Sequence, residues 1–496
     1  MREQGPWRSK GAVSWLMNVA WLCAAALVFT GDGNPKSPVV EPTPQTAARA
    51  SPSREQLVLP PALSDVVRMP FSVPGGYPVS LIARVGGRQV RASWTYVDNL
   101  PGWNSHLDSW LLDTLDKAAA SSGSRYSPRM ALNAAMPAED SLTVTAEPVL
   151  AGGTWIMFRE RVTDTGPDRT RTVNSQTFTI DTVSGELRPA IELLRPEAVD
   201  RIRSRASSVP VAIAAPTAQH PAPADLVFTP SGELQISSPY ATERGRTGGG
   251  GIATIPAGEA ESMLSEAGRR MLSQLQTPAA TRPLTPLGLR HINCDIVPCA
   301  ALTYDDGPDT TTTAQLLTIL KNTGAEATFF MTGSNAAAHP ATARQVAEAG
   351  HAIGNHTYSH PYLTKLPPAG VKSEIDGADA AIRAAIGSSP SLMRPPYGAA
   401  DATVQSAVGK PLILWAVDSL DWQSRNPALF VPKVLKEISP GDVVLMHDVD
   451  PTTIAGQQEL ITSLQGMGYR LVTVPQLFEG TPLAAGHVYR ARPGRR

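Results

Sequence analysis

From about residue 283 to residue 478, short apolar runs alternate with stretches of helical periodicity. "EATFFMTG", "PLILWAVDS" and "DVVLMHD" read as buried strands. "PATARQVAEAG", "VKSEIDGADAAIRAAIG" and "FVPKVLKEI" read as helices between them. Such alternation predicts βα units around a parallel sheet, closed as an α/β barrel with its chemistry at the C-terminal strand ends. Upstream the pattern changes. "LTVTAEPVL" (142–150), "TWIMFRERV" (154–162) and "TFTIDTVSGEL" (177–187) have the period of two expected of antiparallel strands. In "GEAESMLSEAGRRMLSQLQ" (258–276), Met263, Leu264, Ala267, Met271 and Leu275 fall near helical spacing and predict one amphipathic helix. The fold class is therefore α/β, a barrel preceded by an α+β accessory domain.

The N-terminus adds an export reading. Arg2, Arg8 and Lys10 precede an uncharged, mostly apolar run from Ala12 to Thr30, as in a signal peptide or membrane anchor. Residues 31–62 are rich in Pro, Ser, Thr and Ala without apolar periodicity, which predicts an extended linker. The expected order is 1–30 signal or anchor, 31–62 linker, 63–276 accessory domain, 277–293 linker, 294–480 catalytic domain and 481–496 basic tail. The protein is then extracytoplasmic, secreted or held at the cell surface, with a membrane contact only if the N-terminal segment stays uncleaved. Cys294 and Cys299 bracket a short loop that an oxidising exterior favours closing as a disulfide.

Charge narrows the partners. With 43 Lys plus Arg against 44 Asp plus Glu, no global field recruits nucleic acid or an anionic membrane, and recognition has to be local. "TGGGG" (247–251) lacks the Lys-Ser/Thr of a phosphate loop. No G-x-S-x-G elbow supports a serine hydrolase.

The unusual polar residues gather at predicted strand ends. In "ALTYDDGPDT", Asp305 and Asp306 stop an apolar run, and Gly307 and Pro308 turn the chain so that both carboxylates reach one mouth. In "NHTYSH", His356 and His360 stand at i and i+4, the spacing of one face of a helical turn. Two imidazoles and a carboxylate make a three-ligand Zn²⁺ set with an open position. "MRPPYG" adds Arg394 and Tyr397, "DSLDW" adds Asp418, Asp421 and Trp422, and "LMHD" adds His447.

The order "TYDDGP", "HTYSH", "RPPYG", "DSLDW", "LMH" resembles the five motifs of the metal-dependent polysaccharide deacetylases, the fourth carbohydrate-esterase family with the NodB-homology fold, over roughly residues 295–478. Tyr304 departs from that pattern, where the family usually has Phe, and a packing change is expected there. The resemblance implies a distorted barrel in which Asp306, His356 and His360 hold a divalent metal, zinc or alternatively cobalt. It makes Asp305 the general base facing Arg394, and His447 the acid tuned by Asp421. The N–H of Tyr397 is the oxyanion donor, and Trp422 and Leu445 wall a pocket for the acetyl methyl. The substrate expected is N-acetylglucosamine in peptidoglycan, acted on by a monomer. Chitin or chitooligosaccharide deacetylation and acetyl-xylan ester hydrolysis by the same groups are the alternatives. A binding module without catalysis would lack the base or the acid, and both are present.

Overall fold

Between residues 76 and 189 the two-residue period is realised as a six-stranded sheet. In the computed structural model the described residues are 73–134, 140–166, 169–206, 225–237, 252–280 and 289–494. The segments read as signal and first linker lie outside them. β1 (Gly76–Val85) and β2 (Arg88–Val97) form an antiparallel hairpin about Gly86 and Gly87, whose φ angles of 57° and 82° are open to glycine without a Cβ penalty. α1 (Pro101–Ala120) then crosses the sheet, so β3 (Ser141–Gly152) runs parallel to β2. β4 (Trp155–Gly166), β5 (Arg169–Asp181) and β6 (Leu187–Pro189) continue antiparallel. α1 buries Trp103, Leu107, Leu111, Leu115 and Ala119 as one stripe, and Trp103 stacks on Phe158 with ring centroids 3.9 Å apart.

After α2 (Pro196–Ala206), β7 (Asp225–Phe228), β8 (Leu234–Ser237) and β9 (Ile252–Ile255) form a small antiparallel sheet. The single helix expected over 258–276 is instead two, α3 (Ala257–Met263) and α4 (Glu266–Gln274). Between them Leu264 is extended and bridges Leu194. The Ser265 N–H donates to the Leu193 carbonyl, and its hydroxyl accepts from the Gly268 N–H to cap α4. Tertiary pairing plus a new N-cap displaces one helical turn that the periodicity alone favours.

The C-terminal part is a mixed α/β barrel. Its strands are β10 (Cys299–Asp305), β11 (Ala327–Met331), β12 (Ala352–Asn355), β13 (Leu412–Ile413), β14 (Val417–Asp418), β15 (Val443–His447), β16 (Arg470–Leu471) and β17 (Val488–Tyr489). The helices between them are α5 (Thr312–Thr323), α6 (Gly333–Ala338), α7 (Pro340–Glu348), α8 (Pro368–Ile386), α9 (Ala402–Ala407), α10 (Asp421–Ser424), α11 (Pro427–Glu437), α12 (Pro451–Gly466) and α13 (Val474–Leu477). The parallel sheet runs β12-β11-β10-β15-β14, with β16 against the start of β10. Single bridges from Asn355 to Met393 and from Met393 to Leu412 carry it round to β13. β13 pairs with β17, and the Asp442–Ala491 bridge leads back toward β15. Several strands are only two residues long, so the closure is irregular.

The segment read as a basic tail takes part in this closure. β17 lies within 481–496, and Arg492 donates to the Leu477 and Glu479 carbonyls and to Asp295. This strand was not visible in the sequence because two ladder residues are too short to leave a periodic signal.

The described residues fall within one compact unit. One buried cluster joins residues of α1 and the N-terminal sheet, such as Leu107 and Phe158, to barrel residues such as Phe330 and Val443. Tyr126 Oη donates to the Ile296 carbonyl (2.6 Å), and His291 sits between Asp108 (2.9 Å) and Glu479 (2.8 Å). The Cys294–Cys299 disulfide closes onto the first residue of β10. Among the described residues no helix is long and apolar enough to cross a membrane.

Candidate active site

The C-terminal end of β10 positions the two adjacent carboxylates. Asp305 and His447 are register partners on neighbouring parallel strands, which sets a carboxylate beside an imidazole at the barrel mouth. Asp306 has left the strand and takes a φ of 75°, a conformation unusual for a residue with a side chain. It is held by Asn335 Nδ2, which donates to the Asp306 carbonyl (2.7 Å) from α6. The convergence of the two acids therefore begins at Asp306 itself, one residue earlier than the Gly-Pro turn suggested. Asp305 is buried and Asp306 is one-third exposed.

His356 and His360 do not share a helical turn. Residues 356–360 form a loop in which Thr357 and His360 have φ of 65° and 63°. Side chains stand in for the helical ladder: Asn355 Oδ1 accepts from the Thr357 N–H (2.8 Å), and Thr357 Oγ1 from the His360 N–H (3.1 Å). The Glu374 carboxylate accepts from the amides of Tyr358 and Ser359 (2.9 and 2.8 Å). These competing local bonds make the loop, and the rings still meet, with centroids 5.0 Å apart.

One ligand atom each from Asp306, His356 and His360 lies within 4.8 Å of the others. His356 Nε2 is 3.5 Å and His360 Nε2 3.3 Å from Asp306 Oδ1. These are not ordinary ion pairs. Burial, with the neighbouring His360 and Arg394 against the charge of Asp306, pushes the His356 pKa down to about 3, so its ring is neutral. Its Nδ1–H donates to the Arg394 carbonyl (2.7 Å), which directs the Nε2 lone pair into the cluster. A neutral imidazole lone pair facing a carboxylate and a second imidazole is a donor set that fits a divalent cation.

Arg394 is fully buried and gives Nη1–H to Asp305 Oδ1 (2.7 Å) and Nε–H to the Ile413 carbonyl (2.8 Å). Its guanidinium lies 4.2 Å from the Phe330 ring centroid. Phe330 reaches this position because residue 354 is glycine; a Cβ there would run into the Phe330 ring. Burial raises the Asp305 carboxyl above its ordinary pKa, opposed by Arg394, His447 and His360.

His447 faces Asp421. Nδ1 is 3.0 Å from Oδ1, and the His447 backbone N–H donates to Oδ2 (2.9 Å). Ser419 Oγ (2.9 Å) and Thr453 Oγ1 (2.7 Å) complete a fully buried carboxylate with four donors. Burial opposes ionisation of Asp421, yet these donors lower its pKa overall. In His447 burial opposes the charge as well, but Asp421, aided by Asp305 and Asp306, raises the imidazole to about 9. Trp422 follows Asp421 and is half exposed. Leu445 is buried two residues before His447, on the same face of β15. Tyr397 has a φ of 62°, and its exposed ring lies edge-on to His360 (4.7 Å).

A family model described as polysaccharide deacetylase matches residues 293–410. The chitin deacetylase of Colletotrichum lindemuthianum is 36% identical over 223 residues, 42% of this chain and 89% of that protein. The chain belongs to the polysaccharide deacetylase family. It is also similar to the peptidoglycan-N-acetylglucosamine deacetylase PgdA of Listeria monocytogenes, 39% identical over 189 residues, 38% of this chain and 40% of the relative. The peptidoglycan-N-acetylmuramic acid deacetylase PdaC of Bacillus subtilis is 38% identical over 179 residues, 36% of this chain and 38% of that protein. The chain thus spans about two-fifths of the length of these two bacterial relatives.

Within this family setting, several contributors were absent from the sequence reading. Thr453, from the first turn of α12, left no signal because a single threonine six residues after His447 has no pattern. Ser419 stood inside the quoted "DSLDW" and was passed over. Tyr304, the one departure noted, gives its hydroxyl to Gln457 Oε1 (2.6 Å), so the added oxygen is satisfied in the core by α12.

Proposed function

We propose that this chain is a metal-dependent deacetylase that hydrolyses the N-acetyl group of N-acetylglucosamine residues in peptidoglycan, releasing acetate outside the cytoplasm. The carrying observation is the convergence of Asp306, His356 and His360, with Asp305 and His447 in register beside them. A divalent cation held by those three, zinc or alternatively cobalt, would supply Lewis acidity toward the acetamide carbonyl and an acidified water. Asp305 takes the water's proton. Its raised pKa brings the base closer to working pH, and Arg394 holds one of its oxygens so that the other stays aimed. The N–H of Tyr397 donates to the developing oxyanion. His447, protonated through Asp421, gives its proton to the departing amine, and Trp422 and Leu445 bound the space for the acetyl methyl.

The bacterial relatives named for peptidoglycan support the polymer assignment, and the chitin deacetylase supports chitin as the second reading. The basic and apolar N-terminal segment and the Cys294–Cys299 disulfide favour an oxidising exterior. The test is to incubate the full chain with peptidoglycan, acetylated chitooligosaccharides and acetyl-xylan and measure acetate. Release from peptidoglycan at the highest kcat/KM is expected. Rapid release from xylan alone would replace the amide with the ester reading.

A further inference from the structure

We infer that Lys365, carried on the Tyr362–Tyr397 ring stack, is a subsite for a carboxylate on the sugar next to the one deacetylated. This rests on the deacetylase reading and adds a selectivity for acidic over neutral glycans. Three contacts lead outward from the candidate ligand His360. Its ring lies 4.7 Å from Tyr397, Tyr397 stacks on Tyr362 at 3.8 Å with an interplanar angle of 12°, and the Lys365 ammonium sits 4.5 Å over the Tyr362 ring. Both tyrosines are large exposed aromatics, 42% (Tyr362) and 53% (Tyr397) accessible, and Lys365 is exposed as well. Neither Tyr362 nor Lys365 lies within the five motifs.

The ammonium is placed but not neutralised. Lys372 closes on Asp376 (2.6 Å) and Lys410 on Asp379 (2.8 Å), whereas Lys365 forms no ion pair among the described residues. The short 3₁₀ turn Leu363–Lys365 is anchored by fully buried Leu363, and the ring face attracts the cation, so the charge is held at the outer end of the stack that starts at His360. A neutral N-acetylglucosamine polymer has no group for this charge. A glycan with N-acetylmuramic acid carries a lactyl ether whose carboxylate is either free or extended by an acidic peptide stem.

The test measures kcat/KM of the wild type, Lys365→Met and Lys365→Arg on three substrates: chitopentaose, peptide-stripped peptidoglycan strands and stem-bearing strands. Lys365→Met should lose about threefold to fivefold on the acidic strands, as an exposed ion pair supplies, with no loss on chitopentaose and with recovery in Lys365→Arg. The wild-type preference should shrink as salt rises. Loss on stripped strands assigns the lactyl carboxylate, and loss confined to stem-bearing strands assigns the peptide. Equal change on all three substrates, or none, overturns the inference while leaving the deacetylase reading intact. A wild type that releases acetate from none of them overturns both.

Discussion

Asp305 and Asp306 are neighbours in the chain with different surroundings, and the roles proposed for them rest on that difference. Asp305 is buried, with one oxygen on Arg394 and the other 3.6 Å from His356 Nε2, while Asp306 faces both imidazoles at the mouth. Asp305→Asn should therefore keep bound metal near one equivalent and lose at least about a hundredfold in kcat, within the range ascribed to a general base. His356→Ala should lose both metal and turnover. Metal content by mass spectrometry beside acetate release checks the pair, and loss of metal in Asp305→Asn would reverse the assignment. His447 supplies a pH test. Its pKa is raised to about 9, so the acid stays protonated below that value and activity falls as pH rises through it. In Asp421→Asn the proton leaves nearer the ordinary histidine value, which moves the alkaline limb to lower pH. An unmoved limb would take His447 out of the acid role. The candidate ligand types were readable because metal chemistry restricts residue choice, whereas the helical turn read from the His356–His360 spacing is a loop. The φ values of Asp306, Thr357 and His360 were not readable, since they depend on partners such as Asn335 and Asn355 brought in by the fold.

Among the elements, β11 and β12 support the proposed base through packing. Gly354 on β12 leaves room for Phe330 of β11, and Phe330 supports the guanidinium that holds Asp305. Gly354→Ala should displace the ring, destabilise the fold by about 1–3 kcal/mol and lower kcat at least about tenfold, with little change in KM. Steady-state kinetics beside thermal unfolding separates the two effects, and a variant with wild-type kcat would remove Phe330 from the positioning of Arg394. Long periodic elements such as β3 and α8 were legible in the sequence, as were the strand ends carrying the motifs. The break between α3 and α4 was not, because Leu264 leaves the helix for a bridge to Leu194 that no local window contains. The α1 crossover, which sets β3 parallel to β2, is a topological fact of the same kind.

At the scale of the whole molecule, the barrel is completed by chain that the sequence pattern assigned to a tail. Removing residues 481–496 should cost about 2–4 kcal/mol, because β17 and the Arg492 bonds to Leu477, Glu479 and Asp295 go together. Calorimetry of the truncated chain should show a Tm lower by several degrees, and an unchanged Tm would make the segment dispensable. The junction with the N-terminal sheet carries its own pH dependence. Burial lowers the His291 pKa, but Asp108 and Glu479 more than offset this and raise it to about 9. A folded-state pKa above the ordinary 6.5 contributes stability in full below pH 6.5, and that contribution is lost as pH rises through about 9. His291→Gln should flatten the fall in unfolding free energy over that window. If wild type and variant decline in parallel, the junction does not depend on this proton. Metal dependence is read most directly from acetate release from N-acetylated glycan by the full chain, stripped of metal by chelation and then reloaded with Zn²⁺ or Co²⁺. Three ligands converging beside a separate base predict loss of activity on stripping and recovery on reloading. Undiminished turnover in a verified metal-free sample would contradict the account.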